Sequence, residues 1–202
     1  MAFPILGLFL LFIFITAYFR HKGTAMQKEA EDLFWEREHK ANLVRRKSLD
    51  DLPYISIPYD KFPIGISDDD ELIGFEKQLL ALATAKIVNF KNQSNTDLKL
   101  QYGPANLPAL SEYDDNFAKL ASIIVPYSKR LILLGHEMEA IPVLEFGIEC
   151  GSDVSSNYTT LAKIYKKNNE NQKLDVLIES ANQLESIMKQ PILDKLSAIR
   201  ES

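Results

Sequence analysis

SSNYTTLAKIYKKNNENQKLDVLIESAN, residues 155–182, decides the fold. Ser155 or Ser156 offers a polar side chain to the first free amides of a helix. Tyr158, Leu161, Ala162 and Tyr165 then recur at helical spacing. Asn168-Asn169 closes that helix with a residue type that tolerates left-handed backbone. Gln172 to Ser186 reads as a second helix, so the stretch folds as a helical hairpin.

An earlier segment repeats this one. Gly135, Ala140, Leu144 and Gly147 precede Asn169, Leu174, Ile178 and Ala181 by one constant step along the chain. Gly135 and Asn169 both occupy a helix C-terminus that calls for left-handed backbone, and the other pairs set small or apolar residues on the inner face of the following helix. In the earlier copy Pro142 falls in the first turn of a helix that runs to about Cys150, and Gly151 ends it. Pro191 opens a last helix, ILDKLSAIR, placed to cover the end of a stack.

The order aromatic, two residues, Leu, small, two residues, Tyr at Tyr158, Leu161, Ala162 and Tyr165 resembles the tetratricopeptide repeat. The step between the copies also matches the length of such a repeat, about 34 residues. The earlier copy has Ile124, Tyr127, Ser128 and Leu131 at the motif positions and keeps only their apolar and small character. Glycine replaces alanine at 147, and the usual proline after the second helix is missing from both copies. The resemblance covers about residues 120–187 and implies an α-solenoid of stacked hairpins whose concave face receives extended peptide. Its units span about 120–151 and 155–187, with a capping helix at 191–200. Two units cannot bury their hydrophobic faces alone, so helices expected at 68–92 and 111–134 complete the core. Asp68 with Glu71 and Ser111 with Asp114 have the spacing of capping boxes. Residues 93–110 read as a long ordered connection with a turn at Tyr102-Gly103-Pro104.

The start of the chain has a different character. Residues 2–19, AFPILGLFLLFIFITAYF, carry no charge and are long enough for a spanning helix. Arg20 and Lys22 follow at once. No basic residue precedes the run, which separates it from a secretory signal. Residues 20–47 form a basic amphipathic juxtamembrane segment in which Met26, Ala30, Leu33, Phe34, Ala41 and Val44 share a face, giving a possible homodimer contact over 24–44. Arg20, Lys22, Arg45, Arg46 and Lys47 are placed to meet anionic lipid headgroups. The positive flank puts the main domain in the cytoplasm. Layout and anchor together resemble short single-span bacterial proteins.

Residues 48–66 read as an extended strap, because Pro53, Pro58 and Pro63 each remove a donor and favour extended backbone. Tyr54, Ile55, Ile57, Tyr59 and Phe62 are too apolar for a free linker. The strap lies on the helical domain of residues 67–202 as a built-in ligand, or it is a docking site for another protein. The fold class is therefore all-α: a single N-terminal transmembrane helix, the Pro-rich strap and a repeat-like helical domain.

Charge narrows the function. The chain carries −5 in all and residues 20–47 carry +3, so the remainder carries −8. That acidity speaks against nucleic acid as a partner. A single cysteine, Cys150, excludes an internal disulfide, and no phosphate-binding glycine loop or paired-histidine zinc motif occurs. No metal or cofactor is expected. The run Asp68-Asp69-Asp70 lacks the alternation and the glycine of a calcium loop. Arg45-Arg46-Lys47-Ser48 has the form of a kinase site, and Asn92-Gln93-Ser94 and Asn157-Tyr158-Thr159 the form of glycosylation sequons. The reading is a membrane-anchored interaction protein, not an enzyme, which contacts a protein or peptide through Tyr127, Arg130, Tyr158, Lys163 and Lys166. The alternatives are a small membrane-bound enzyme with an acidic site at Glu137, Glu139 and Glu145, or an extracytoplasmic envelope-assembly factor.

Overall fold

The computed structural model describes residues 3–201, without the side chains of residues 3–6, 8, 10, 21, 24 and 25. All regular structure among the described residues is helical. In chain order the helices are α1 (Phe3–Asn42), α2 (Asp70–Leu80), α3 (Asn95–Tyr102), a 3-10 turn (Pro104–Asn106), α4 (Leu107–Leu133), α5 (Glu137–Glu149), α6 (Ser155–Lys167), α7 (Asn171–Asn182) and α8 (Lys189–Glu201). They divide into two compact units, residues 1–48 with 94–107 and residues 49–93 with 108–202.

The first unit is built on α1. The expected anchor and juxtamembrane segment are one continuous helix that ends at Asn42. Among the described residues no helix is long and apolar enough to cross a membrane. Ala2 and several side chains of the apolar run lie outside the described residues.

Within residues 93–110, expected as a long ordered connection, helix α3 forms because Ser94 and Asp97 make a reciprocal capping box. The Ser94 hydroxyl accepts the Asp97 N–H at 3.2 Å, and the Asp97 carboxylate accepts the Ser94 N–H at 2.9 Å. It packs on the last turns of α1. Arg37 pairs with Asp97, and the Glu38 carboxylate accepts from Lys99 and from Thr96 Oγ1. Buried Asn106 donates to the carbonyls of Lys47 and Tyr102, each at 2.8 Å, and accepts from Arg46 Nε at 3.0 Å. Gly103 has φ of 88°, and a Cβ there would lie 2.7 Å from the Arg45 carbonyl oxygen.

In the second unit the strap runs through the core. Ile57 and Phe62 are buried with Leu72 and Leu79 of α2, Leu120, Ile124 and Tyr127 of α4, and Val143 and Phe146 of α5. Ile55 and Tyr59 pack at the edge of this cluster, and Phe62 meets Phe146 edge-on at 5.5 Å between ring centres. Backbone polar groups find partners as well: the Tyr127 hydroxyl donates to the Pro63 carbonyl at 3.2 Å, and the Tyr59 hydroxyl to that of Leu79 at 2.6 Å.

Helix α2 is shorter than expected. Asp69 caps it, in place of Asp68, by accepting the Leu72 N–H at 2.9 Å. It stops at Leu80, not near residue 92. Residues 86–90 are not helical and satisfy their backbone elsewhere: Ile55 N–H donates to the Ile87 carbonyl, Val88 N–H to that of Tyr113, and Phe90 N–H to the Asp114 carboxylate. Asp114 therefore does not cap α4, which begins at Leu107, ahead of the expected Ser111. Likewise α5 begins at Glu137 and carries Pro142 inside it.

The hairpins repeat in backbone geometry as well as in sequence. Gly135 has φ of 90° and Asn169 of 60°. His136 N–H donates to the Leu131 carbonyl at 2.9 Å, and Glu170 N–H to that of Tyr165 at 2.8 Å. Gly135 bonds back to Ile132 as Asn169 does to Lys166, so both helices end in the same Schellman motif. The pairs Ile124/Tyr158, Tyr127/Leu161, Ser128/Ala162 and Leu131/Tyr165 are all buried. Helix α8 continues the series and packs on α6 and α7. Its buried Ile192 and Leu196 stand one repeat length after Tyr158 and Ala162. The α5–α8 core joins Ile141 and Leu144 to Tyr158, Leu161, Leu174 and Leu177.

Gly147 is where the copies differ. Its counterpart Ala181 has a methyl group, but a Cβ on Gly147 would stand 2.6 Å from the Asn157 amide nitrogen and 3.0 Å from Ile124 Cγ2. Buried Asn157 fills that space and donates to the Leu144 carbonyl at 3.2 Å.

Candidate functional site

The repeat register sets Lys129 of α4 and Lys163 of α6 at equivalent positions, one repeat length apart, and both are exposed. Between the two helices lies a groove of about 290 Å³ lined by Lys129, Ile132, Glu137, Thr160, Lys163, Ile164 and Lys167. Its floor is aliphatic and its rim cationic. Lys167 Nζ is engaged by both oxygens of Glu137, at 2.8 and 2.9 Å. Neither Lys129 nor Lys163 has an ion-pair partner among the described residues. Two such ammonium groups therefore stand beside a third that Glu137 holds in place.

A second cleft, of about 550 Å³, separates α5 from α7, with Leu161 and Tyr165 among its lining. The Tyr165 hydroxyl donates to Glu145 Oε1 at 2.5 Å, and Lys173 sits 5.3 Å from the Tyr165 ring centre while pairing with Glu170 at 3.1 Å. Burial first, then the hydrogen bond to Glu145 and the nearby carboxylate charges, pushes the Tyr165 phenol far above its usual value.

The five expected contact residues have separate fates. Tyr127 and Tyr158 are buried in the core. Tyr158 donates to the Ser152 carbonyl at 3.1 Å. Arg130 is committed within the fold, with Nε to Asp69 Oδ1 at 2.8 Å and NH1 to Glu71 at 3.0 Å. Lys166 is half-buried and donates to the Arg200 carbonyl at 2.6 Å. Of the five, only Lys163 faces the groove. Lys129 and Lys167 were missed, although stepping back one repeat length from Lys163 leads to Lys129.

Of the strap residues, Ile57 and Phe62 are core, while Tyr54 lies edge-on to Tyr113 with Lys86 over both rings. Arg20, Lys22, Arg45 and Lys47 are placed on the first unit with Arg46, which is tied to Asn106. Of the acidic trio, Glu137 is held by Lys167 and Glu145 accepts from Tyr165. No group of three or more potential metal ligands occurs among the described residues. Asn157 is fully buried, which closes its sequon in the folded chain. Ser94 caps α3.

No protein-family model matches the chain, and no curated protein or solved structure matches it.

Proposed function

We propose that the protein is a membrane-anchored interaction scaffold whose helical-repeat unit binds an acidic, extended segment of a partner protein. The groove between α4 and α6 carries this reading: Lys129 and Lys163 stand in equivalent positions with no ion-pair partner among the described residues, in a portion of the chain that is otherwise strongly acidic. Local positive charge against an opposing background selects for carboxylate-bearing segments and repels basic ones. The tetratricopeptide resemblance points to the same use of an inter-helix groove. The strap is then a structural member of the unit and not the docking site, because Ile57 and Phe62 are buried.

The anchor in this reading is residues 2–19. Phe9, Leu11, Phe12, Ile13, Phe14, Ile15, Tyr18 and Phe19 are exposed on all sides of α1. A helix that is apolar all round needs lipid or protein cover. The basic flank after Phe19 places the repeat unit on the cytoplasmic face.

The test is fluorescence anisotropy of a labelled Glu/Asp-rich peptide titrated with the full chain, alongside a neutral peptide of equal length. Expected is salt-sensitive binding of the acidic peptide alone, lost in Lys129→Glu/Lys163→Glu. Equal binding of both peptides, or binding unaffected by the double substitution, refutes the groove. Flotation with phospholipid vesicles tests the anchor; a chain that stays at the bottom of the gradient refutes it.

A further inference from the structure

Along α1 the exposed residues Phe12, Phe19, Met26 and Leu33 recur at every seventh position, and Thr16, Gly23 and Ala30 fall between them at spacings of four and three. This is the alternation of a two-helix seam, large residues in one layer and small ones in the next. The four large members are exposed by 64, 66, 63 and 61%. The next positions at these spacings are Arg37, which pairs with Asp97, and Lys40, which pairs with Glu36 of its own helix, so the apolar stripe ends at Leu33. From Phe12 to Leu33 its large members are all exposed.

We propose that the bare part of this stripe is covered by α1 of a second copy of the chain, parallel and in register. The proposal rests on the anchor reading, which brings copies together in one membrane with the same direction. Lipid cannot cover the whole stripe. At about 1.5 Å per residue, Met26 and Leu33 lie about 10 and 21 Å beyond Phe19 on an upright helix, past the apolar layer. The charges agree with a parallel pair. Lys28, Glu31 and Asp32 fall outside the stripe, and the flanking residues bring Lys22 towards Gln27 and Glu29 towards Phe34 of the other copy, so no like charges oppose each other. Small residues at 16, 23 and 30 let the two backbones approach closely. Trp35 lies outside the seam, edge-on to Phe34 at 5.2 Å. The expected contact over 24–44 is therefore shifted: it stops before Arg37, and it extends back through Phe12.

The test places single cysteines in the full chain with Cys150→Ala, reconstituted in vesicles of phosphatidylcholine and phosphatidylglycerol and oxidised mildly with copper phenanthroline. Met26→Cys, Ala30→Cys and Leu33→Cys should give disulfide-linked dimers several-fold more readily than Lys28→Cys, Asp32→Cys and Trp35→Cys. All six positions are exposed, so the substitutions leave the core alone. Equal yields at the six positions, or no dimer from a chain that floats with the vesicles, overturns the proposal and leaves the anchor standing. The periodic pattern in a chain that does not float keeps the dimer and overturns the anchor. No flotation and no dimer overturns both.

Discussion

Gly147→Ala offers the sharpest test of the packing between the two hairpins. Taken alone, replacing glycine by alanine inside a helix should stabilise it by about 1 kcal/mol. Here the new methyl would stand 2.6 Å from the Asn157 amide nitrogen, and Asn157 is buried between α5 and α6 with its amide donated to the Leu144 carbonyl. Its carboxamide oxygen is buried without a hydrogen-bond partner, so the side chain has no second contact to fall back on. Overpacking of this kind costs roughly 1–3 kcal/mol, and a displaced amide left unpaired costs about 1–3 kcal/mol more. The clash therefore outweighs the helix term, and the variant should lose about 2 kcal/mol net. Urea unfolding of the full chain, followed by circular dichroism, reads this as a lower midpoint at unchanged slope. The same substitution made on Asn157→Ala should cost clearly less, because the Asn157 amide is gone and only Ile124 Cγ2 at 3.0 Å remains to give way. An unchanged or higher midpoint for Gly147→Ala alone, or the same loss on both backgrounds, would refute the assignment of Asn157 as the residue that excludes a side chain at 147.

Phe62→Ala should destabilise the chain by about 3 kcal/mol in the same assay, since it empties a buried aromatic site in the strap; a change below about 1 kcal/mol would mean the strap is only loosely laid on the core. Asp69 is held down to about 2, first by the Arg130 guanidinium and then by the Leu72 N–H, against an ordinary value of 3.8. Its contribution is complete above about pH 4 and disappears as pH falls through about 2, so the stability gap between the native chain and Asp69→Asn should narrow on acidification; a gap constant with pH contradicts the pairing. Burial, with a smaller effect from Glu149, pushes the Cys150 thiol up to about 12. Iodoacetamide at neutral pH should therefore modify it slowly in the folded chain and rapidly in urea, and equal rates would place it at the surface.

The hairpins were legible because their signals are local. A left-handed position at Gly135 or Asn169 and an apolar stripe at 158, 161, 162 and 165 each act within a turn or two of helix, where periodicity and backbone sterics decide. The Ser94–Asp97 box that makes α3 is equally local, and Tyr102-Gly103-Pro104 ends the helix it starts after about two turns.

The end of α2 was not legible. Leu82, Ile87 and Phe90 fit a helical stripe as well as they fit the buried, non-helical backbone they adopt. What decides is the set of hydrogen bonds to Ile55, Tyr113 and Asp114, residues remote in sequence.

By itself, then, the sequence determined an all-helical chain, the turns at Gly135 and Asn169, the repeat step and the apolar character of residues 2–19. Only the tertiary structure decided which of the candidate contact side chains packs inside and which stays at the surface. It buried Tyr127 and Tyr158, tied Arg130 to Asp69, and left Lys129 and Lys163 outside. An aromatic, a cation or a small residue has the same local preference whether it meets solvent or a neighbouring helix; its role is fixed by what packs against it, and that depends on contacts far along the chain.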